Sequence, residues 1–154
     1  LTQKLLVFTN FIIANKKEKT MIIATSGGYD PLHVGHIECL EKAKKLAGDN
    51  GKLIVIVNDD DFLIRKKGYA FMPLKERMTI VSVIKYVDEV VVCIDKDQTV
   101  CKTLRLLKET HNIEAFAKGG DRSATEIPEA AVCAELNIKI IDGLGEKIQS
   151  SSDL

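Results

Sequence analysis

Apolar residues along this chain fall in short continuous runs, separated by longer stretches with helical spacing. The clearest runs are Met21–Thr25 (MIIAT), Leu53–Val57 (LIVIV) and Val90–Ile94 (VVVCI), with weaker ones at Ile113–Ala117 and Ile138–Ile141. They are rich in β-branched residues and lack polar alternation, so each strand is expected to be covered on both faces, as in a parallel sheet. After the first run, Ile37, Leu40, Ala43 and Ala47 share one helical face, and Gly48 and Gly51 end that helix. The stretch PLKERMTIVSVIKYV, opening at Pro73, predicts a second helix with Met78, Val81 and Ile84 along one side. Thr99–Glu109 and Pro128–Leu136 predict two more. Strand–helix alternation implies a three-layer α/β fold around a five-stranded parallel sheet, with right-handed crossovers.

Residues 1–20 read differently from the rest. Their apolar stretch is interrupted by Thr9 and Asn10 and falls short of the roughly 20 residues a bilayer span requires. They are expected to be a leader or appendage, or an extra helix used in packing or dimer contacts. Residues 21–154 then form the single domain, with no internal repeat. The 154 residues suffice for one sizeable core. Lys plus Arg and Asp plus Glu both number 22, and this balance argues against a nucleic-acid binder. Cys39, Cys93, Cys101 and Cys133 are scattered without a C-x-x-C pair, which argues for reduced thiols in a cytoplasmic protein rather than a metal site or disulfide framework.

Candidate chemistry concentrates in Thr25–His36 (TSGGYDPLHVGH), where the first strand passes into the first helix. In open parallel sheets ligands bind at the carboxyl ends of strands. Gly27 and Gly28 are expected to allow a sharp turn and close approach of a ligand to the backbone. His33 and His36 fall near a helix N-terminus, whose free amides and partial positive charge suit phosphate. Gly35 between them leaves space for a nucleotide. Paired imidazoles there can donate to phosphate oxygens and stabilise charge that grows in a transition state. The dinucleotide fingerprint G-x-G-x-x-G is absent.

The same stretch resembles the T-x-G-x-F-D-x-x-H-x-G-H signature of the cytidylyltransferase-like nucleotidyltransferases, with Tyr29 in the aromatic position. The resemblance extends over roughly Met21–Leu154. NDDDFLIRKKG, LKERM and KYVDEVVV are similar to segments of the glycerol-3-phosphate cytidylyltransferases, and AKGGDR with EIPE to the heptose 1-phosphate adenylyltransferases. The resemblance implies a Rossmann-like fold of the HxGH nucleotidyltransferase type. It also implies transfer of a nucleoside monophosphate from CTP or ATP to a small phosphorylated substrate such as a sugar or polyol phosphate, with Mg²⁺ and release of pyrophosphate.

Carried across, His33 and His36 become transition-state phosphate contacts, Lys66 a phosphate-binding lysine, and Arg77 the arginine that holds the β- and γ-phosphates. Gly27, Gly28, Tyr29, Asp30 and Gly35 line the nucleotide, as do Lys118, Gly119, Gly120 and Asp121. Ser150, Ser151 and Ser152 cap the triphosphate. Asp30 and Arg122 face the acceptor.

The pattern also departs from the glycerol-3-phosphate enzymes. Their second lysine is Gly68 here, with Lys67 as a substitute. Gly120 replaces an aspartate, and Gly145 and Ile148 stand at the arginine and glycine positions of their closing signature. These changes tip the base toward ATP without deciding it. Expected partners are the nucleotide, the phosphorylated substrate and a second copy of the chain, with neither nucleic acid nor membrane. A catalytically inactive nucleotide-binding regulatory module is the alternative. A class I aminoacyl-tRNA synthetase would need a lysine–serine signature and tRNA-binding domains that this chain does not show.

Overall fold

A computed structural model describes residues 20–119 and 127–144. Its strands are β1 (Ile22–Gly27), β2 (Lys52–Val57), β3 (Glu89–Val92), β4 (Ala115–Ala117) and β5 (Lys139–Ile141). Its helices, among the described residues, are α1 (Val34–Ala47), α2 (Asp60–Lys67), α3 (Leu74–Ser82), α4 (Cys101–His111) and α5 (Glu129–Glu135). The strands form one parallel sheet in the order β3-β2-β1-β4-β5.

Strand residues alternate between two cores, as the twofold period of a strand requires. Ile23, Leu53, Val55, Val57, Ala115 and Ala117 pack with Leu40, Ala43 and Ala47 of α1 and Val81 of α3. Ala24, Ile54, Ile56 and Phe116 pack with Leu104 and Leu107 of α4 and Cys133 of α5. Helices thus cover both faces, which explains why β2 shows no polar position from Leu53 to Val57. The three-layer α/β fold read from the apolar runs is the fold observed.

Chain order matters for function. The chain leaves β1 through α1 toward β2 on one side, and β4 docks against the other side of β1. Connections therefore diverge at the carboxyl ends of β1 and β4, the switch point where such sheets open a crevice. The Thr25 hydroxyl donates to the Ala117 carbonyl at 2.7 Å and ties the two strands there.

Two elements differ from expectation. Helix α2 was not foreseen: it lies at the carboxyl end of the sheet and buries only Leu63, too little for a visible apolar stripe. Helix α3 stops at Ser82 rather than running on to Val87. The β-branched run Thr79–Val81 has modest helix propensity, and the chain turns through an Ile84 N–H to Val81 carbonyl bond into β3. Among the described residues no helix is long and apolar enough to cross a membrane. The appendage assigned to residues 1–20 lies, but for Thr20, outside the described residues.

Candidate active site

The β1–α1 loop is built around a fixed pair of imidazoles. His33 is the N-cap of α1, and its Nδ1 accepts from the Gly35 amide at 3.1 Å. The His36 Nδ1 accepts from the His33 amide at 3.1 Å, closing a reciprocal capping box. The rings stack with centroids 3.8 Å apart, and the Tyr29 ring meets His36 edge-on at 5.0 Å.

Because each Nδ1 accepts a backbone proton, each neutral ring carries its own proton on Nε2. Burial holds His33 below the ordinary histidine pKa. Burial, then the His33 and Lys66 charges, lower His36 to about 4. Near neutral pH the site therefore holds two uncharged Nε2–H donors at a helix N-terminus. The His33 Nε2 is buried and has no partner.

Gly27 and Gly28 serve the protein's own packing. A Cβ on Gly27 would lie 2.9 Å from the Tyr29 ring, and one on Gly28 would lie 2.8 Å from Leu63 of α2. This corrects the expectation that they supply the turn: the left-handed residue of the loop is Tyr29, at φ 52°. Its buried ring holds that conformation, and burial raises its hydroxyl pKa.

Asp30 and Arg77 form the underside. Asp30 is 1% exposed. Its oxygens accept from the amides of Phe71 and Met72, each at 2.6 Å, and pair with Lys67 at 3.0 Å. Burial pushes its pKa up, but the two amides and Lys67 outweigh that and hold it below the usual carboxylate value. Lys67 also donates to the Asp30 carbonyl at 2.6 Å.

Arg77 is 0% exposed. Its guanidinium donates to the carbonyls of Met72 (2.8 Å), Gly28 (2.9 Å) and Asn58 (2.6 Å) and pairs with Asp60 at 2.6 Å. The implied roles are corrected on physical grounds. A guanidinium bonded on every side within the protein does not reach β- and γ-phosphates, and Asp30, engaged at both oxygens, does not face an acceptor. Both fasten the loop to α2 and α3. Lys67 acts with them rather than as a second phosphate lysine.

Other expected residues divide clearly. Lys66 is exposed on α2, close enough to His36 to influence its charge. Lys118 follows β4 and is 8% exposed, with its Nζ unpartnered. Gly119 backs onto Cys39 of α1. Gly120, Asp121, Arg122, Ser150, Ser151 and Ser152 lie outside the described residues. Asn58 was not singled out from the sequence. It follows β2, is 6% exposed, and has an unpartnered Oδ1. A polar residue closing the apolar run Leu53–Val57 was the available signal.

Among the described residues, the buried side-chain atoms without a partner are those of His33, Asn58 and Lys118. They follow β1, β2 and β4, all at the carboxyl end of the sheet. Each unmet group costs about 1–3 kcal/mol, so their placement at one end of the sheet marks that end as the side where polar ligand groups would be met. No group of three or more His, Cys, Asp or Glu that could hold a metal ion occurs among the described residues.

Comparison with known proteins gives the family and supports the fold. The chain matches the cytidylyltransferase-like family over residues 24–146. It is 37% identical to glycerol-3-phosphate cytidylyltransferase of Bacillus subtilis over 99 residues, 64% of this chain and 70% of that one. It is 36% identical to FAD synthase of Methanopyrus kandleri over 86 residues, 56% of this chain and little more than half, 56%, of that protein. Among solved structures, a lipopolysaccharide core biosynthesis protein from Thermoplasma volcanium superposes with a TM-score of 0.63 at 24% identity. The match covers 79% of this chain and 95% of that one, and speaks for the fold.

Proposed function

The chain belongs to the cytidylyltransferase-like family, and on that premise we propose that it transfers a nucleoside monophosphate from CTP or ATP to a small phosphorylated substrate. The observation that carries this reading is the histidine pair: two neutral Nε2–H donors, one buried and unmatched, at the N-terminus of α1.

A phosphate oxygen of the acceptor attacks the α-phosphorus. The new P–O bond forms as the bond to the α–β bridging oxygen breaks, and pyrophosphate leaves with that electron pair. The protein forms no covalent bond; it positions the reactants and stabilises charge. His33 and His36 donate to phosphoryl oxygens as negative charge grows, and the α1 dipole adds to the same field. Lys118 contributes its ammonium from the β4 side of the crevice and Lys66 from α2. Mg²⁺ suits this arrangement as an ion held largely by the triphosphate, where it neutralises charge.

Pyrophosphate release with CTP or ATP, Mg²⁺ and a panel of sugar and polyol phosphates tests the reading. His33→Ala and His36→Ala should each lower turnover by about 10²–10³ with the fold retained. Tight nucleotide binding without pyrophosphate release, for every acceptor tried, would identify a regulatory module instead.

A further inference from the structure

Helix α2 has 8 residues and buries one side chain, Leu63. A helix that short is marginal by itself, so its polar contacts decide how it is held. One side is tied to the β1–α1 loop and to α3 through the Lys67–Asp30 and Asp60–Arg77 pairs. The other side is tied to the loop between β3 and α4. There the Arg65 Nε donates to the Gln98 side-chain oxygen at 2.7 Å, and its Nη2 to the Asp97 carbonyl at 3.2 Å. The Gln98 side-chain nitrogen donates back to the Phe62 carbonyl at 3.4 Å.

That loop is itself fixed. Asp95, 2% exposed, accepts from the Lys102 and Thr103 amides at the start of α4 and from the Thr103 hydroxyl, at 2.7, 3.0 and 2.6 Å. The Asp97 carboxylate accepts from the Thr99 amide at 3.0 Å and hydroxyl at 2.7 Å. Successive residues leave a helix about 100° apart. Arg65 therefore turns to the loop and Lys67 to Asp30, while Lys66 stands exposed between them, within electrostatic reach of His36. We propose, resting on the phosphate role given to Lys66 in the nucleotidyl-transfer reading above, that Arg65 and Gln98 are positioning residues whose clasp fixes the roll of α2 and so aims the Lys66 ammonium at the nucleotide. Exposed contacts of this kind add little to global stability. With Leu63 as the buried anchor and the ion pairs along one side, they do decide whether α2 rolls. An ammonium displaced by about 1 Å loses much of a charge-assisted bond to phosphate.

Calorimetric affinities for CTP and ATP with Mg²⁺, followed for the nucleotide that binds more tightly, test this in a cycle of variants. Lys66→Met should weaken binding by about tenfold. Arg65→Ala and Gln98→Ala should each weaken it by about fivefold, and the double variant by no more than either, because both break one clasp. In the Lys66→Met background the same changes should alter affinity by less than about 1.5-fold. Gln98→Glu keeps the acceptor for Arg65 and should stay within about twofold of wild type. Arg65 and Gln98 are exposed, so their variants should melt within about 2 °C of wild type. A larger fall in Tm, full losses in the Lys66→Met background, or Gln98→Glu as weak as Gln98→Ala would each overturn the assignment. So would wild-type affinity in the clasp variants or in Lys66→Met, with nucleotidyl transfer left standing if wild type releases pyrophosphate. No pyrophosphate release from wild type with any acceptor, with the coupling intact, would overturn the transfer reading and leave the clasp.

Discussion

Arg77 and Lys118 are both buried cations at the carboxyl end of one sheet, and their surroundings are opposite. Arg77 donates to three carbonyls and a carboxylate. Lys118 has an ammonium with no partner. The same division separates Asp30, matched at both oxygens, from Asn58 and His33, each with an unmatched atom. The matched set joins the β1–α1 loop to α2 and α3 and makes a rigid frame. The unmatched set lies on that frame with donors and an acceptor left open. Burial of a charge alone therefore says nothing about its role; whether its bonds are already made does.

Removing a member of the frame should do the greatest damage. Arg77→Met leaves the Gly28, Asn58 and Met72 carbonyls and the Asp60 carboxylate without a donor. Urea unfolding should show a loss of about 3–5 kcal/mol, mostly from the three carbonyls left without a donor, since the Asp60 side chain is 43% exposed. Arg77→Lys should recover little, since an ammonium lacks the planar fork. A stable Arg77→Met protein with weakened triphosphate binding would instead restore the phosphate role the sequence suggested.

Lys118→Met sharpens the contrast. It removes a buried cation that nothing among the described residues satisfies, so stability should hold or rise by about 1 kcal/mol. Nucleotide affinity should fall by about 10-fold or more, as expected for a charge-assisted bond to phosphate. Titration calorimetry alongside thermal melting checks both halves. Destabilisation without loss of affinity would put Lys118 with the frame.

The frame was partly legible in the sequence, and unevenly so. Strands covered on both faces announce themselves as unbroken apolar runs, so β1 and β2 were plain from Met21–Thr25 and Leu53–Val57. Helix α2 buries a single side chain and so leaves no stripe. Its punctuation was nevertheless complete: Asp59 at the N-cap, Asp60 and Asp61 in the first turn, Arg65–Lys67 in the last, and left-handed Gly68 at the C-cap. His33 and His36 were legible because two histidines beside a helix start have few other uses. The roles of Asp30 and Arg77 were not, because partners such as the Phe71 amide and the Asn58 carbonyl are backbone atoms, brought near only by the fold. Asn58 carried one signal, a polar residue closing the apolar run Leu53–Val57, but its unmatched oxygen is visible only in the fold.

The lowered histidine pKa values predict a smaller, pH-dependent effect. An unfolded histidine binds its proton near pH 6.5, whereas folded His36 does so only at about 4. Between those values the unfolded chain holds more protons, so stability rises with pH through the window and falls as pH drops from about 6.5 to 4. The histidine contribution should appear as a rise of Tm with pH across that window. It should shrink in His36→Asn, with melting curves at matched ionic strength as the check.

The central claim is that two neutral imidazoles present Nε2–H groups to a triphosphate. Long-range ¹H–¹⁵N spectra of the histidine rings at pH 7 test it directly, with assignment by His33→Ala and His36→Ala. Both rings should be uncharged Nε2–H tautomers in the free protein, and both Nε2 resonances should shift on addition of Mg²⁺ with CTP or ATP. Nδ1–H tautomers, imidazolium rings at neutral pH, or Nε2 signals indifferent to both nucleotides would contradict it.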